Sequence, residues 1–349
     1  MTTPRRPALR YHGGKWRLAP WIIRHFPPHR VYVEPFAGAA SVLLRKEPAP
    51  VEVLNDRLAD VVTFFRVLRD RPADLIRAIE LTPYARSAFL EACGPIAADD
   101  LERARRFAVV AGQSRSCAGT RSPGGWRYQR APMPGRTSTF ATQWADTAHL
   151  WHIAERLRHV QIEDDDALTI IARYDSPATL FYIDPPYLAD TRGKARPSGI
   201  YIHDYTEADH RRLAEALATI RGMAIVSTYE NDLYYQLYPP PWRAVIQAGR
   251  TKSHTRRPIE TLWISPAAWQ KLGQAPALLT PSATPSCVGC RGTGATGTGS
   301  APIGPEVGSI GPDVGSIGPD VGSIGPDVGS IGPDVGSIGP DVGSNEATA

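Results

Sequence analysis

Short apolar runs that stop at acidic or proline residues alternate along this chain with stretches whose apolar positions recur at helical spacing. Val31-Tyr32-Val33 is a buried-strand pattern running into Glu34-Pro35, and Val51-Glu52-Val53-Leu54 is a second, ending at Asn55-Asp56. Leu180 to Ile183 predicts a third strand, stopped by Asp184-Pro185-Pro186, and Met223 to Ser227 a fourth. Between them lie helical patterns. Leu58, Val61, Val62, Phe65 and Leu68 fall on one helix face, and Ala39 to Lys46 is predicted to follow the first strand as a helix. Thr206-Glu207-Ala208-Asp209 reads as a capping box, with Leu213, Leu217 and Ile220 on the face behind it and Gly222 as the stop. Strands separated by helices predict an α/β fold with a parallel sheet.

Two regions break the alternation. Residues 69–159 start helical and become a polar loop from Gly112 to Gly135, where Arg115, Arg121, Arg127 and Arg130 lie among Trp126 and Tyr128. Cations interleaved with aromatic rings suit phosphate contact and base stacking, and a solvated loop has the same composition. From Ile303 to Ser344 the unit I-G-P-[ED]-V-G-S repeats six times. Two Gly and a Pro per unit exclude a coiled coil despite the seven-residue period, and one Ile and one Val per unit bury too little to offset chain entropy. A disordered tail over 303–344 is therefore expected, joined by a linker over 269–302.

Composition sharpens this division. The chain has 349 residues with a net charge of +4, but the charge is uneven. Up to residue 272 there are 38 basic against 28 acidic groups, and beyond it one against seven. A basic body suits a polyanionic partner. Only five of the 39 cations are Lys, and Arg forks match phosphates and guanine edges, although a GC-rich genome produces the same bias. With 42% apolar residues, no membrane-length apolar run and no apolar signal core, a cytoplasmic protein that does not enter the membrane is expected. The four Cys do not suggest a disulfide scaffold. Cys287 and Cys290 supply half of a zinc site and the second pair is missing, so no metal is expected.

The chemistry concentrates at strand ends. Two prolines cannot continue a ladder, so Asp184-Pro185-Pro186-Tyr187 is a stiffened corner at the edge where α/β sheets bind ligands. Its carboxylate and the Pro185 carbonyl are paired acceptors suited to an exocyclic amine with two N–H donors, and Tyr187 offers a flat face. Glu34-Pro35-Phe36-Ala37-Gly38-Ala39-Ala40-Ser41 comes after the first strand; Gly38 permits close backbone approach, and the predicted helix start favours an anion. Asp56, at the end of the next strand, can accept hydrogen bonds from ribose hydroxyls. Upstream, Arg10-Tyr11-His12-Gly13-Gly14-Lys15-Trp16 is a Gly-Gly-Lys loop able to hold a carboxylate, without phosphate-loop spacing.

In this order the motifs resemble those of the Dam-type DNA adenine N6-methyltransferases, over roughly residues 8–266. Y-H-G-G-K looks like that family's N-terminal cofactor motif, E-P-F-A-G-A-A-S like its S-adenosylmethionine loop, L-N-D like its ribose-binding acid, and D-P-P-Y like its catalytic motif. The resemblance implies a Rossmann-like class I methyltransferase sheet formed by 1–68 and 160–268, with 69–159 as an inserted target-recognition domain. It implies S-adenosylmethionine as methyl donor, contacted by Tyr11, Lys15, Glu34, Phe36, Gly38, Asp56 and Asp184. Asp166, in an acidic run after a later strand, is expected near the cofactor adenine. Asp184, Pro185, Pro186 and Tyr187 are expected to serve catalysis on N6 of a flipped adenine, and Arg115, Arg121, Trp126, Arg127 and Tyr128 to contact double-stranded DNA. A bacterial or phage-encoded monomer is expected. Lone and restriction-associated enzymes read alike, so a cognate restriction endonuclease stands as a candidate partner. Cytosine N4 carries the same two donors, and an inactive DNA-binding relic is the non-enzymatic alternative.

Overall fold

The structure is a computed structural model that describes residues 4–95, 99–116, 124–131, 138–188, 204–247 and 260–274. All of these belong to one compact unit, Met1–Ala283. Arg121, Cys287, Cys290, most of the expected linker and the whole repeat tail lie outside the described residues.

Seven strands form one sheet: β1 (Val31–Glu34), β2 (Val51–Asn55), β3 (Val160–Glu163), β4 (Thr179–Ile183), β5 (Met223–Tyr229), β6 (Arg243–Ile246) and β7 (Glu260–Ile264). Their spatial order is β3-β2-β1-β4-β5-β7-β6. The first five are mutually parallel; β7 runs antiparallel to β5, and β6 antiparallel to β7. All four strands expected from the apolar runs are present, and the α/β fold class holds.

Side chains of a strand alternate between faces, and here both faces are covered. Tyr32, Leu54, Leu180, Tyr182, Ile225, Leu262 and Ile264 point to one core. That core is closed by α1 (Ala19–Ile23), α2 (Ala59–Asp70), α3 (Pro72–Glu80), α5 (Asp100–Gln113), α7 (Ala148–Leu157) and α11 (Pro266–Gly273), with the short helices α4 (Arg86–Ala92) and α6 (Phe140–Ala145) between α3 and α7 in the chain. Val33, Val53, Phe181, Ile183, Ala224, Val226 and Trp263 face the opposite core, beneath α8 (Ala167–Tyr174), α9 (Glu207–Thr219) and α10 (Asp232–Leu237). The helices of segment 69–159 thus lie between β2 and β3 in sequence, and Leu75, Ile79, Phe107 and Ile153 share the core of α2. None of the described helices is long and apolar enough to cross a membrane.

The capping box forms as read: Thr206 Oγ1 accepts the Asp209 N–H and the Asp209 carboxylate accepts the Thr206 N–H. The helix expected from Ala39 to Lys46 does not form. That stretch is a series of turns, with Gly38 at φ 49° and Ala40 at φ 50°. Two left-handed residues interrupt continuous i→i−4 bonding, leaving separate bonds of that kind from the Leu44 amide to Ala40 and from the Lys46 amide to Val42. Val42, Leu43 and Leu44 are buried all the same. Their apolar character reflects packing rather than helix formation.

A buried ionic triad ties this turn segment to α7. Glu52, 1% exposed, receives Lys46 Nζ at 2.6 Å and Arg156 Nη2 at 2.8 Å, with Arg156 Nη1 on its other oxygen. Burial pushes the Glu52 carboxyl up, but the two cations outweigh it and hold the group below the usual carboxylate value. Arg156 Nη2 also donates to the Leu43 carbonyl at 3.0 Å. Removing the shared anion strands two buried cations. Glu52→Ala is therefore expected to destabilise the fold by roughly 3–5 kcal/mol, read as a lower midpoint in urea unfolding.

Candidate active site

The carboxyl ends of the parallel strands bring the acidic residues of the sequence to one edge. Glu34 is the last residue of β1, Asp56 comes after β2, Asp165 and Asp166 after β3, and Asp184 after β4. Because β7 is reversed, its first residue, Glu260, reaches the same edge opposite Tyr229, the last residue of β5. These side chains, with Tyr11, Lys15, Phe36, Gly38 and the Asp184-Pro185-Pro186-Tyr187 corner, line a cavity of about 1170 Å³. An open α/β sheet takes ligands at this edge.

Lys15 is the cation at the centre. Its Nζ lies 2.8 Å from Asp184 Oδ1, 3.8 Å from Glu260 Oε1 and 4.7 Å from the Tyr187 ring centroid. Lys15 and Glu260 are buried, whereas the Asp184 side chain keeps 18% exposure. The Tyr187 hydroxyl bonds to Ser227 and Glu260, and its ring meets the Tyr229 ring at 79°. Tyr187 is thus packed into the corner, with the Lys15 ammonium over its ring. Burial raises the Asp184 carboxyl to about 6; Lys15 opposes the rise and Glu260 adds to it. Glu34, fully enclosed, is pushed to about 8 by burial, against the pull of the Tyr32 hydroxyl at 2.7 Å and the Leu43 amide.

The loop after β1 is shaped by Gly38. A Cβ there would stand 2.9 Å from the Tyr11 ring, and its φ of 49° is left-handed. Only glycine meets both conditions without strain. Asp56 holds the turn, accepting the Gly38 and Leu58 amides at 2.8 Å each. Phe36 makes a T-shaped contact with Tyr205, 5.3 Å between centroids. Asp166 caps α8 through the Leu168 amide, and an arginine, Arg57, lies 3.8 Å from its carboxylate. The anion-binding helix start expected behind Gly38 is absent along with the helix.

Two contributors do not stand out in the sequence. Asn55 lies inside the L-N-D motif, and it ties three loops together: its amide donates to the Pro35 and Asp165 carbonyls and accepts the Asp165 amide. Glu260 carries no motif signal. Its arrival depends on the direction of β7. Among the described residues no group of three His, Cys, Asp or Glu is arranged to share a metal ion.

The arginine–aromatic loop forms a separate surface. An antiparallel bridge pairs Ser114 with Trp126, and the Arg115 and Arg127 amides donate across it. Trp126 and Tyr128 stack at 6.0 Å and 16°. Arg86 lies 5.0 Å from the Trp126 ring, while Arg115 and Arg130 lie 5.3 and 5.9 Å from the Tyr128 ring. These three make no carboxylate pair among the described residues, whereas Arg66, Arg71, Arg103 and Arg211 each do. Arg127 turns inward, with its guanidinium 3.9 Å from the Phe140 ring and Nη2 on the Gly112 carbonyl. Arg10 Nη1 reaches the Ser114 carbonyl at 3.0 Å, which joins this surface to the segment carrying Tyr11 and Lys15.

Residues 11–240 match the family described as D12 class N6 adenine-specific DNA methyltransferase. The DNA adenine methylase of Escherichia coli strain K12 is 24% identical over 278 residues, covering 74% of this chain and 94% of that protein. That of Serratia marcescens is 24% identical over 259 residues, covering 71% and 92%. A DNA adenine methylase of Vibrio cholerae serotype O1 is 39% identical over a 67-residue stretch, 19% of this chain and 24% of that protein.

The buried carboxyls generate a pH signature. An acid whose folded value is raised holds a proton that the unfolded chain releases, so its stabilisation fades as pH rises through the folded value. For Asp184 that loss is complete a little above 6, whereas for Glu34 it continues to about 8. Calorimetric melting temperatures of the ligand-free protein should therefore carry a Glu34-dependent decline between pH 6 and 8 that Glu34→Gln removes. An unchanged slope in that variant would contradict the burial of an uncompensated Glu34.

Proposed function

This chain belongs to the D12 class of N6 adenine-specific DNA methyltransferases, and from that membership we propose how its residues transfer a methyl group from S-adenosylmethionine to adenine N6 in double-stranded DNA. The observation that carries the reading is the joining of Lys15, Asp184 and the Gly38 loop around one cavity at the carboxyl edge.

The donor set suits the cofactor. The volume exceeds what a drug-sized ligand needs, leaving room for a nucleobase beside it. Asp56, Asp166 and Asp184 supply anionic oxygens for a ligand that carries an ammonium and a sulfonium, and such a ligand would favour ionisation of the protonated Glu34 carboxyl beside them. The hydroxyl of Ser41, buried at the cavity wall, has no hydrogen-bond partner among the described residues. When bound, S-adenosylmethionine supplies an electrophilic methyl group. Asp56 and Asp166 hold its adenosine end, Phe36 and Gly38 shape the wall, and Tyr11, Lys15 and Glu34 hold the amino-acid end.

Adenine N6 is out of reach inside a duplex, so the base is extruded into the cavity. Pro185 and Pro186 stiffen the corner, which directs the Asp184 carboxylate and the Pro185 carbonyl at the two N6 hydrogens. Accepting both hydrogens aims the nitrogen lone pair at the methyl group, and the gain is mainly positional. Asp184, poised near 6, takes the N6 proton that methylation releases and passes it to solvent. Tyr187 forms the wall against the target base. Arg115, Trp126 and Tyr128 meet the DNA outside the cavity, with Arg127 bracing them from beneath.

Asp184→Ala is expected to abolish N6-methyladenine in the DNA of a methylation-free host while the melting curve stays cooperative; sequencing for modified bases reads the outcome, and full methylation would refute the assignment. Arg115→Ala should weaken DNA binding and lower the salt slope by about one, with cofactor affinity unchanged in calorimetric titration. Equal DNA affinity at matched salt would remove this loop from the interface.

A further inference from the structure

Glu260 lies beyond the family-matched residues 11–240 and opens β7. It is 6% exposed. Its Oε1 receives the hydroxyls of Tyr187 and Ser227, each at 2.5 Å, and stands 3.8 Å from Lys15 Nζ. A phenol has one proton to donate, and here it goes to Glu260 rather than to the nearby Asp184. A carboxylate that takes it loses acceptor capacity for anything else.

Resting on the reading of Asp184 as the N6 acceptor, we propose that Glu260 is a positioning residue for methyl transfer. It takes the Tyr187 and Ser227 hydroxyls and shares Lys15 with Asp184, which keeps the Asp184 carboxylate directed at the target amine rather than at its own neighbours. It touches neither the methyl group nor the base; it acts through Tyr187 and Lys15. The groups facing Asp184 are Lys15 from the N-terminal loop, Glu260 from β7, Tyr182 from β4, Glu34 from β1 and Tyr187 of the corner itself. Among them Glu260 is the neighbouring anion that most favours a proton on Asp184.

The test uses two substitutions in the full chain. Glu260→Gln keeps an oxygen that accepts both hydroxyls but removes the charge. The ¹³C carboxyl titration of Asp184 in ligand-free protein and the acid limb of single-turnover methylation should both move down by about one pH unit. Glu260→Ala removes the acceptor as well, and turnover at pH 8 should fall about tenfold or more through lost positioning, with the S-adenosylmethionine dissociation constant little changed. An unmoved titration or limb in the Gln variant, or wild-type turnover in the Ala variant, overturns the proposal. If Asp184→Ala still methylates, the underlying reading fails instead, and the titration still reports whether Glu260 and Asp184 are coupled. Should either Glu260 variant fail to fold, Tyr187→Phe removes the hydroxyl that Glu260 holds: turnover is expected to fall about tenfold, and turnover at the wild-type rate overturns the positioning role.

Discussion

One ammonium shared by buried carboxylates organises this molecule's chemistry. Parallel strands end together, and the residues at their ends here are acids, so the carboxyl edge accumulates negative charge in a poorly hydrated place. Lys15 is the side chain that makes this tolerable: it sits against Asp184, near Glu260 and over the Tyr187 ring. The compensation is incomplete, as the raised carboxyls of Glu34 and Asp184 show. An edge that holds more acids than cations is suited to a ligand bearing positive charge. The same residues that strain the ligand-free protein are the ones the proposed methyl transfer uses.

Polar ties anchor the elements around this edge. Asn55 and Asp56 bind the loops after β1, β2 and β3 to one another, which sets the wall of the cavity. Arg10 reaches the loop that presents Trp126 and Tyr128, so the segment carrying Lys15 also touches the aromatic–arginine surface. The Lys46–Glu52–Arg156 triad joins α7 to the turns behind Gly38. Buried ion pairs of this kind are weak as sources of stability but costly to break, and they fix one arrangement against its neighbours. Here they secure the helices between β2 and β3 to the cavity wall.

Much of this is legible from local chemistry. Apolar runs closed by Glu34-Pro35, Asn55-Asp56 and Asp184-Pro185 mark strands whose ends line the cavity, because burial sets the run and the carboxyl end is where such sheets take ligands. The capping box at Thr206 reads out directly, since it needs only residues three apart. The segment from Ala39 to Lys46 misleads for an equally physical reason. Its apolar side chains are buried as a helix's would be, but the backbone turns left-handed twice, at Gly38 and Ala40. Spacing of apolar residues reports burial and does not report the backbone dihedrals by which they are buried.

The amino-acid sequence by itself determined four of the seven strands, the stiffened corner at Asp184 and the acids placed at strand ends, because each arises from interactions within a few residues. Only the tertiary structure decided which charges meet. Lys15 and Asp184 are 169 positions apart in the chain, and Glu260 joins them solely because β7 runs against β5. A strand's direction is set by long-range packing on both faces of the sheet, which no local pattern encodes, and the protonation of a buried carboxyl depends on neighbours that this packing supplies.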